Sequence, residues 1–378
     1  MSKKRQNCLR ALFMASMASL TALLFTNSLA ANENAAEQLI NRFELRESEL
    51  ASRDMPGWRA PKSVLFWGSD SDLAGLKKEF PELTFQATSS IEDAKQKLKV
   101  ADVFIGFCIP GAFDKDLNIS WLQSMGVGVE GCVNSPAIQN ANMILTNTKR
   151  LSSPEIAEHS IALMFALVRR LDQYAASQAK QTWDRGLAPG VDQIWEIEGR
   201  TMLVVGLGGI GSETAKRAKG LGMKVIATRN SSRKGPAYVD YVGLSNELMT
   251  LASKADVIVN TVPLTDKTTG LFDRQFFKAM KPSAYFINIA RGRSVVTSDL
   301  LAALEAGELA GAGLDVTDPE PLPADHPLWK QERVIITPHV AYRSEKLRQR
   351  VMTLAKENLH RYIRGDRLIS IVDLDKGY

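Results

Sequence analysis

The sequence predicts an α/β protein built from two doubly wound parallel-sheet domains. Three observations carry that expectation. Short apolar runs alternate with helical patterns along most of the chain, which implies parallel strands joined by crossover helices. One such run, from Thr201 to Val205, feeds straight into a glycine turn, and a helix-forming stretch follows it. The chain has 378 residues, enough for about two domains with full cores. At 45% hydrophobic and 24% charged residues, its composition is that of an ordinary globular protein.

The elements follow in order. Residues 1–30 read as a secretory signal: Lys3, Lys4 and Arg5 precede an apolar-rich run from Ala11 to Phe25, and Ser28 and Ala30 offer a small-residue cleavage site. A periplasmic or secreted protein is therefore expected. The alternative is an uncleaved membrane anchor, since no charge falls between Arg10 and Glu33. This leader holds four of the five net positive charges, so no nucleic-acid-binding face is expected. Past Cys8 the chain has only Cys108 and Cys132, too few for a disulfide framework, and they read as two buried small side chains. No metal site is expected.

Asn32 to Arg53 reads as a polar helix, closed by Met55-Pro56-Gly57. A first α/β region has strands at Ser63–Trp67, Leu83–Gln86 and Ala101–Gly106, helices at Asp72–Glu79 and Ile91–Lys99, and short apolar segments at Gly126–Val129 and Met143–Thr146. The longest helical pattern runs from Pro154 to Gln173, opened by Ser152-Ser153-Pro154-Glu155. From Thr201 a second α/β region has apolar runs at Lys224–Thr228, Tyr238–Val239, Asp256–Asn260, Ala284–Asn288, Gly311–Asp315 and Val334–Thr337, then a helical tail from Ser344 to Arg364. The expected domains are 31–152 with 342–378, and 153–341 between them.

The turn after the Thr201 strand reads Gly206-Leu207-Gly208-Gly209-Ile210-Gly211. Glycines at this spacing let a strand turn sharply, let a pyrophosphate approach the backbone, and let a helix pack closely on a strand. The helix that begins there offers free N–H groups to phosphate. A dinucleotide cofactor is expected. Enzymes that use NAD place an acidic residue at the end of the second strand. Here that position is Arg229, followed by Asn230, Ser231, Arg233 and Lys234, a set that suits a 2′-phosphate. NADP is the expected cofactor, with NAD as second choice.

Arg291, Glu320 and His339 each follow a strand-like run, where open α/β sheets present their ligands. A guanidinium can hold a carboxylate by two parallel hydrogen bonds, and a histidine can exchange a proton near neutral pH. An adjacent carboxylate can orient that histidine. His159, His326 and His360 read as structural.

With these residues in hand, the chain resembles the D-isomer-specific 2-hydroxyacid dehydrogenases over about residues 60–365. The resemblance rests on Gly206–Gly211, Val262-Pro-Leu-Thr265, Phe286-Ile-Asn-Ile-Ala-Arg-Gly292, Gly313-Leu-Asp-Val-Thr-Asp-Pro-Glu-Pro-Leu322 and Thr337-Pro-His-Val340. It implies a Rossmann-type nucleotide domain inserted into a flavodoxin-like substrate domain, with the site in the cleft, and a homodimer. Arg291 would bind the substrate carboxylate, His339 would be the acid/base, and Glu320 would hold His339. Val262, Pro263, Thr268, Ile289, Ala290 and Asp315 would join the glycine loop in holding the cofactor. Backbone N–H groups of Val127 and Gly128 would bind the substrate carboxylate.

The segment after Pro321 looks most like glyoxylate/hydroxypyruvate reductases, and Glu320 stands where formate-oxidising members carry glutamine. The chain departs from the family at Lys149-Arg150, where Pro-Gly is usual, at Glu130, and at Ala341 and Arg343. The implied activity is interconversion of a 2-keto acid and its D-2-hydroxy acid. The alternatives are a nucleotide-sensing protein like the corepressors on this scaffold, and phosphoglycerate dehydrogenase, the latter weakened because no regulatory domain follows Arg364.

Overall fold

The computed structural model of the chain describes residues 34–113, 117–133, 135–140, 142–186 and 194–374. The leader expected at residues 1–30 lies outside them. Among the described residues no helix is long and apolar enough to cross a membrane. The chain divides into two compact units. One takes the described residues up to Lys149 together with those from Arg348 onward, and the other is Arg150–Leu347. These divisions compare with expected ones after residues 152 and 341.

The first unit is built on a five-stranded sheet of β1 (Ser63–Trp67), β2 (Thr84–Thr88), β3 (Val103–Gly106), β4 (Trp121–Ser124) and β5 (Ile144–Thr146). All pairs are parallel, in the order β2-β1-β3-β4-β5. Successive side chains leave opposite faces of a strand, so a strand covered on both sides must be apolar throughout. Val64, Phe66, Val103, Ile105 and Trp121 accordingly fill one core layer, and Leu65, Phe104, Leu122 and Leu145 the other. The helix Leu347–Arg364 covers the first layer, stacking Tyr362 on Trp121 with centroids 4.9 Å apart.

The second unit has seven parallel strands: β6 (Thr201–Val205), β7 (Lys224–Thr228), β8 (Tyr241–Gly243), β9 (Val257–Asn260), β10 (Tyr285–Asn288), β11 (Gly311–Leu314) and β12 (Val334–Ile336). Their order is β12-β11-β10-β9-β6-β7-β8. The same alternation puts Met202, Val204, Val257, Val259 and Ile287 in one layer and Leu203, Val205, Ile258 and Phe286 in the other. Strand order reverses between β6 and β9. A doubly wound sheet opens its ligand crevice at the carboxyl ends of strands at such a point.

Several elements differ from expectation. The first described helix stops at residue 43, not Arg53: Glu44 turns left-handed (φ 48°), and the chain beyond it pairs with the C-terminal segment through Ser48 N–H to the Leu368 carbonyl, 2.7 Å. The Pro154 helix, Ser153–Val168, ends early because Arg170 is left-handed (φ 54°), and a new helix, Leu171–Ala179, starts after it. It is shorter than the 18-residue Leu347–Arg364 helix. Tyr238–Val239 forms a turn, and the edge strand begins at Tyr241.

Strand β4 was not expected at all, because Gln123 and Ser124 break its apolar run. Burial of Gln123 is made tolerable by partners: its carboxamide oxygen accepts from Thr146 Oγ1 (2.9 Å) and Asn358 Nδ2 (2.8 Å), and its Nε2 donates to the Ser124 carbonyl (2.9 Å). Asn358 also donates to the Ile369 carbonyl and accepts from its N–H. Asn358→Ala removes one of the two donors to the Gln123 oxygen and leaves the Ile369 N–H and carbonyl without this partner, at roughly 1–3 kcal/mol for each group left unsatisfied. We expect a loss of about 2–4 kcal/mol in urea unfolding followed by a probe in the first unit. A loss below about 1 kcal/mol would show that water replaces the carboxamide.

Candidate active site

The glycine turn closes β6. Gly206 takes φ +99°, and a Cβ there would press on the Thr261–Val262 backbone at 3.1 Å. A Cβ on Gly211 would collide with the Gly206 carbonyl, so the helix Gly209–Gly220 lies this close to β6 only with glycine at that place. Gly208 differs, because no described atom lies within 4 Å of a Cβ built on it. Two glycines are thus required by packing and the middle one leaves open room at a helix N-terminus. This cradle fits a pyrophosphate. Leu207 is buried in the core beneath it, and Ile210 packs against the same core.

Three adjacent strands present buried polar side chains at their carboxyl ends. Asn260 ends β9 and Asn288 ends β10, directly opposite one another in register. Asn260 Nδ2 donates to Asn288 Oδ1 (2.9 Å) and Ser294 Oγ (2.7 Å), and Asn260 Oδ1 receives the Val262 N–H (3.1 Å). Asn288 Oδ1 receives the Ala290 N–H, and its Nδ2 donates to the Arg291 carbonyl, which Ser294 Oγ also reaches (2.6 Å). This network therefore fixes the Val262–Pro263 turn and the backbone of Ile289, Ala290 and Arg291. Arg291 Nη1 donates to the Ala290 carbonyl, 2.8 Å. Thr268 braces the turn from below, donating Oγ1 to the Pro263 carbonyl and accepting the Thr265 N–H.

The third strand-end group is Asp315, after β11, which is 2% exposed. Its carboxylate accepts from Thr337 Oγ1 (2.6 Å), Val340 N–H (3.0 Å) and Ala341 N–H (3.0 Å), and its carbonyl accepts the His339 N–H (2.7 Å). The side chain expected to touch cofactor thus shapes the loop that carries His339. The Thr337 hydroxyl, having given its proton to Asp315, accepts from His159 Nε2 at 2.9 Å. His339 itself is left-handed (φ 51°), and its Nδ1 lies 2.6 Å from Glu320 Oε1. A carboxylate on Nδ1 orients the ring and leaves Nε2 to exchange a proton. Gly292 lets the Arg291 and Asp315 segments meet, since a Cβ there would collide with the Thr317 carbonyl.

At the end of β7, the Arg229 N–H donates to the Gly243 carbonyl and its Nη1 to the Lys234 carbonyl (3.0 Å). Asn230 and Ser231 are exposed beside it. Arg233 is engaged elsewhere: Nη1 lies 2.8 Å from Glu247 Oε1 and 2.9 Å from the Tyr241 hydroxyl. The Tyr241 hydroxyl, the Leu244 N–H and Arg233 together hold the Glu247 carboxyl down at about 2. A fixed negative charge therefore stands beside the predicted 2′-phosphate residues.

In the first unit, the loop after β4 turns its carbonyls inward. The Gly126 carbonyl accepts from Ser124 Oγ (3.0 Å) and Thr148 N–H (3.3 Å), and the Val127 carbonyl from Asn147 Nδ2 (3.0 Å). In a trans peptide the N–H points opposite to the C=O. The N–H groups of Val127 and Gly128 therefore face away from these partners. Cys108 and Cys132 are disulfide-bonded, with Cα atoms 5.0 Å apart, and are not two separate buried thiols. Parallel pairing of Gly106 with Ser124 brings the two loops together, which spacing along the sequence does not reveal.

Residues 161–341 match the model of the D-isomer specific 2-hydroxyacid dehydrogenase NAD-binding domain. A glyoxylate reductase of Thermofilum pendens is 33% identical over 68% of this chain and 75% of its own length. A D-3-phosphoglycerate dehydrogenase of Methanocaldococcus jannaschii is 31% identical over 80% of this chain, which spans 57% of that enzyme. A family protein of Aeromonas salmonicida has a structure matching 84% of this chain and all of its own, at 29% identity and a TM-score of 0.73. The chain belongs to the D-isomer specific 2-hydroxyacid dehydrogenases.

In this dehydrogenase, an NAD(P)-dependent oxidoreductase by family, the fold brings Glu320 and His339 into contact and holds Arg291 from β10. His326 caps a short turn and His360 pairs with Glu79, both structural. Sequence reasoning missed Asn260, Asn288, Ser294 and Glu247. A lone polar residue closing an all-apolar strand was the available signal for the two asparagines. For the glycine cradle we expect Gly211→Ala to cost about 1–3 kcal/mol in urea unfolding through overpacking. Gly208→Ala should leave stability within roughly 0.5 kcal/mol while weakening binding of the reduced nicotinamide dinucleotide about tenfold by fluorescence titration, because its methyl enters the phosphate space.

Proposed function

We propose that this dehydrogenase is an exported, NADP(H)-dependent reductase of small 2-keto acids of the glyoxylate/hydroxypyruvate class, acting as a homodimer. The observation that carries the reading is the 2.6 Å contact between His339 Nδ1 and Glu320 Oε1. In a dehydrogenase of this family such a pair can exchange the proton that the substrate oxygen gains or loses as carbon gains or loses hydride. A reduced nicotinamide dinucleotide, held at its pyrophosphate by the glycine cradle, would supply the hydride.

Arg291 holds the keto acid's carboxylate by its guanidinium fork and draws electron density from the adjacent carbonyl. The N–H groups of Val127 and Gly128, which face away from the partners of their loop's carbonyls, are assigned to a substrate carboxylate. His339 gives the Nε2 proton to the keto oxygen as its negative charge develops, while Glu320 keeps the ring oriented through Nδ1. The product is the D-2-hydroxy acid, and the reverse reaction returns the proton to Nε2.

Arg229 and Lys234 support the preference for NADP, since a dianionic 2′-phosphate gains from cations and loses beside a carboxylate. Glu247 opposes it and is offset by Arg233. The Cys108–Cys132 bridge supports export, because disulfides persist in oxidising compartments.

The test follows oxidation of NADPH and NADH, in parallel, with a panel of 2-keto acids. Turnover of glyoxylate or hydroxypyruvate is expected, with kcat/KM at least about tenfold higher for NADPH, the equivalent of one lost charge-assisted contact. Tight NADPH binding without turnover of any keto acid would overturn the catalytic reading, and equal kcat/KM for the two nucleotides would overturn the preference. Glu320→Gln should lower kcat by about 10²-fold and His339→Gln by about 10³-fold, as expected for loss of general acid catalysis. Arg229→Ala should narrow the NADPH preference and Glu247→Gln should widen it.

A further inference from the structure

The Cys108–Cys132 bridge stands on either side of the loop Gly126–Val129. Cys108 lies two residues past β3, and Cys132 is in the single helical turn Glu130–Val133 that follows the loop. Val129 and Cys132 are buried in the core beside it, and Gln139 Nε2 donates to the Val133 carbonyl (2.7 Å). A four-residue helix lies far below the length at which helices sustain themselves, and it contains Gly131. The loop before it carries Gly126 and Gly128, whose backbone is the most permissive, and it is held on the other side by the hydrogen bonds that Ser124, Thr148 and Asn147 give to the Gly126 and Val127 carbonyls. A Cβ on Gly131 would collide with the Cys108 carbonyl, so the two segments touch along their backbones as well as through sulfur. Cys132 is fully buried, while Cys108 is half-buried.

We propose that the disulfide is a positioning element for substrate binding: it ties the exit of β3 to the first turn after Gly126–Val129 and so holds the Val127 and Gly128 N–H groups in place for a carboxylate. The inference rests on the reading that those groups bind the keto acid. Its consequence is a redox-dependent affinity. Reduction by an external dithiol transfers two electrons and two protons to the bridge, leaving two thiols and a cyclic disulfide on the reductant. The loop then loses its tie, while the glycine cradle, Arg291, Glu320 and His339 contain no sulfur and keep their contacts.

The experiment compares the full chain in three forms: oxidised, reduced with dithiothreitol, and Cys108→Ser/Cys132→Ser. Loosening the loop should raise KM for glyoxylate about tenfold, within the range a small misplacement of binding groups produces. Turnover at saturation should stay within about twofold, because the groups that move the proton are untouched. Affinity for NADPH should be unchanged. Hydrogen exchange gives a readout that needs no turnover. The Cys132 and Val133 amides, which donate to the Val129 carbonyl at 2.8 and 2.9 Å, should exchange at least about tenfold faster without the bridge.

Faster exchange with no keto-acid turnover in any form would keep the tie and overturn the assigned substrate. Unchanged exchange and unchanged KM would overturn the positioning role. A joint fall of kcat, NADPH affinity and melting temperature would assign the bridge to general stability and overturn it equally.

Discussion

The arrangement of the nucleotide unit depends on one constraint: a polar side chain buried at the carboxyl end of each of three neighbouring parallel strands. Asn260, Asn288 and Asp315 are 0%, 1% and 2% exposed. A buried carboxamide or carboxylate is costly unless its hydrogen-bonding atoms find partners. Here the partners are backbone groups of the loops that follow. Asn260 holds the Val262 turn, Asn288 holds Ala290 and Arg291, and Asp315 holds the residues around His339. Burial therefore gives each loop one conformation. The left-handed backbone of His339, costly for a non-glycine residue, persists because Asp315 binds the chain on both sides of it.

This constraint explains what could and could not be read from the sequence. Both sheets were legible, since a strand covered on both faces must be a short apolar run, and β1, β6 and β7 begin and end where the pattern says. Arg291, Glu320 and His339 were legible because their surroundings match a family pattern. The supporting groups were not. Asn288 sits in the same segment as Arg291, but its work is a matter of register with Asn260, 28 residues away along the chain. Strand β4 was hidden by Gln123, whose burial depends on Asn358 at the far end of the sequence. The disulfide was hidden for the same reason, being a product of strand pairing.

The cofactor end shows how a charge count misleads. Arg229, Arg233 and Lys234 look like three cations for one phosphate. The fold gives Arg233 to Glu247, a carboxylate held ionised by Tyr241, the Leu244 N–H and Arg233 itself. The local balance is then two cations and a neutral pair. A neutral pair still directs, because its guanidinium has donors left to offer, but on the proposed reading most of the attraction for a 2′-phosphate falls to Arg229, whose backbone is fixed by the Gly243 carbonyl.

On the proposed reading, export and nucleotide chemistry pull in opposite directions, because a chain that crosses a membrane unfolded leaves any bound nucleotide behind. The two candidate binding elements answer this differently. The glycine cradle is braced by contacts made within the chain: Gly206 against Thr261–Val262, Gly211 against the Gly206 carbonyl, and Asn260 and Asp315 on the loops beside it. None of these requires a ligand to form, so the cradle can assemble first and take its cofactor afterwards. The carboxylate loop has two glycines and one helical turn, and covalent closure adds to the burial of Val129 and Cys132 and to the hydrogen bonds on its carbonyls. That closure needs an oxidant, which an extracytoplasmic compartment supplies and the cytosol withholds. On the proposed reading, the nucleotide cradle forms wherever the chain folds, while full affinity for the keto acid waits for oxidising conditions.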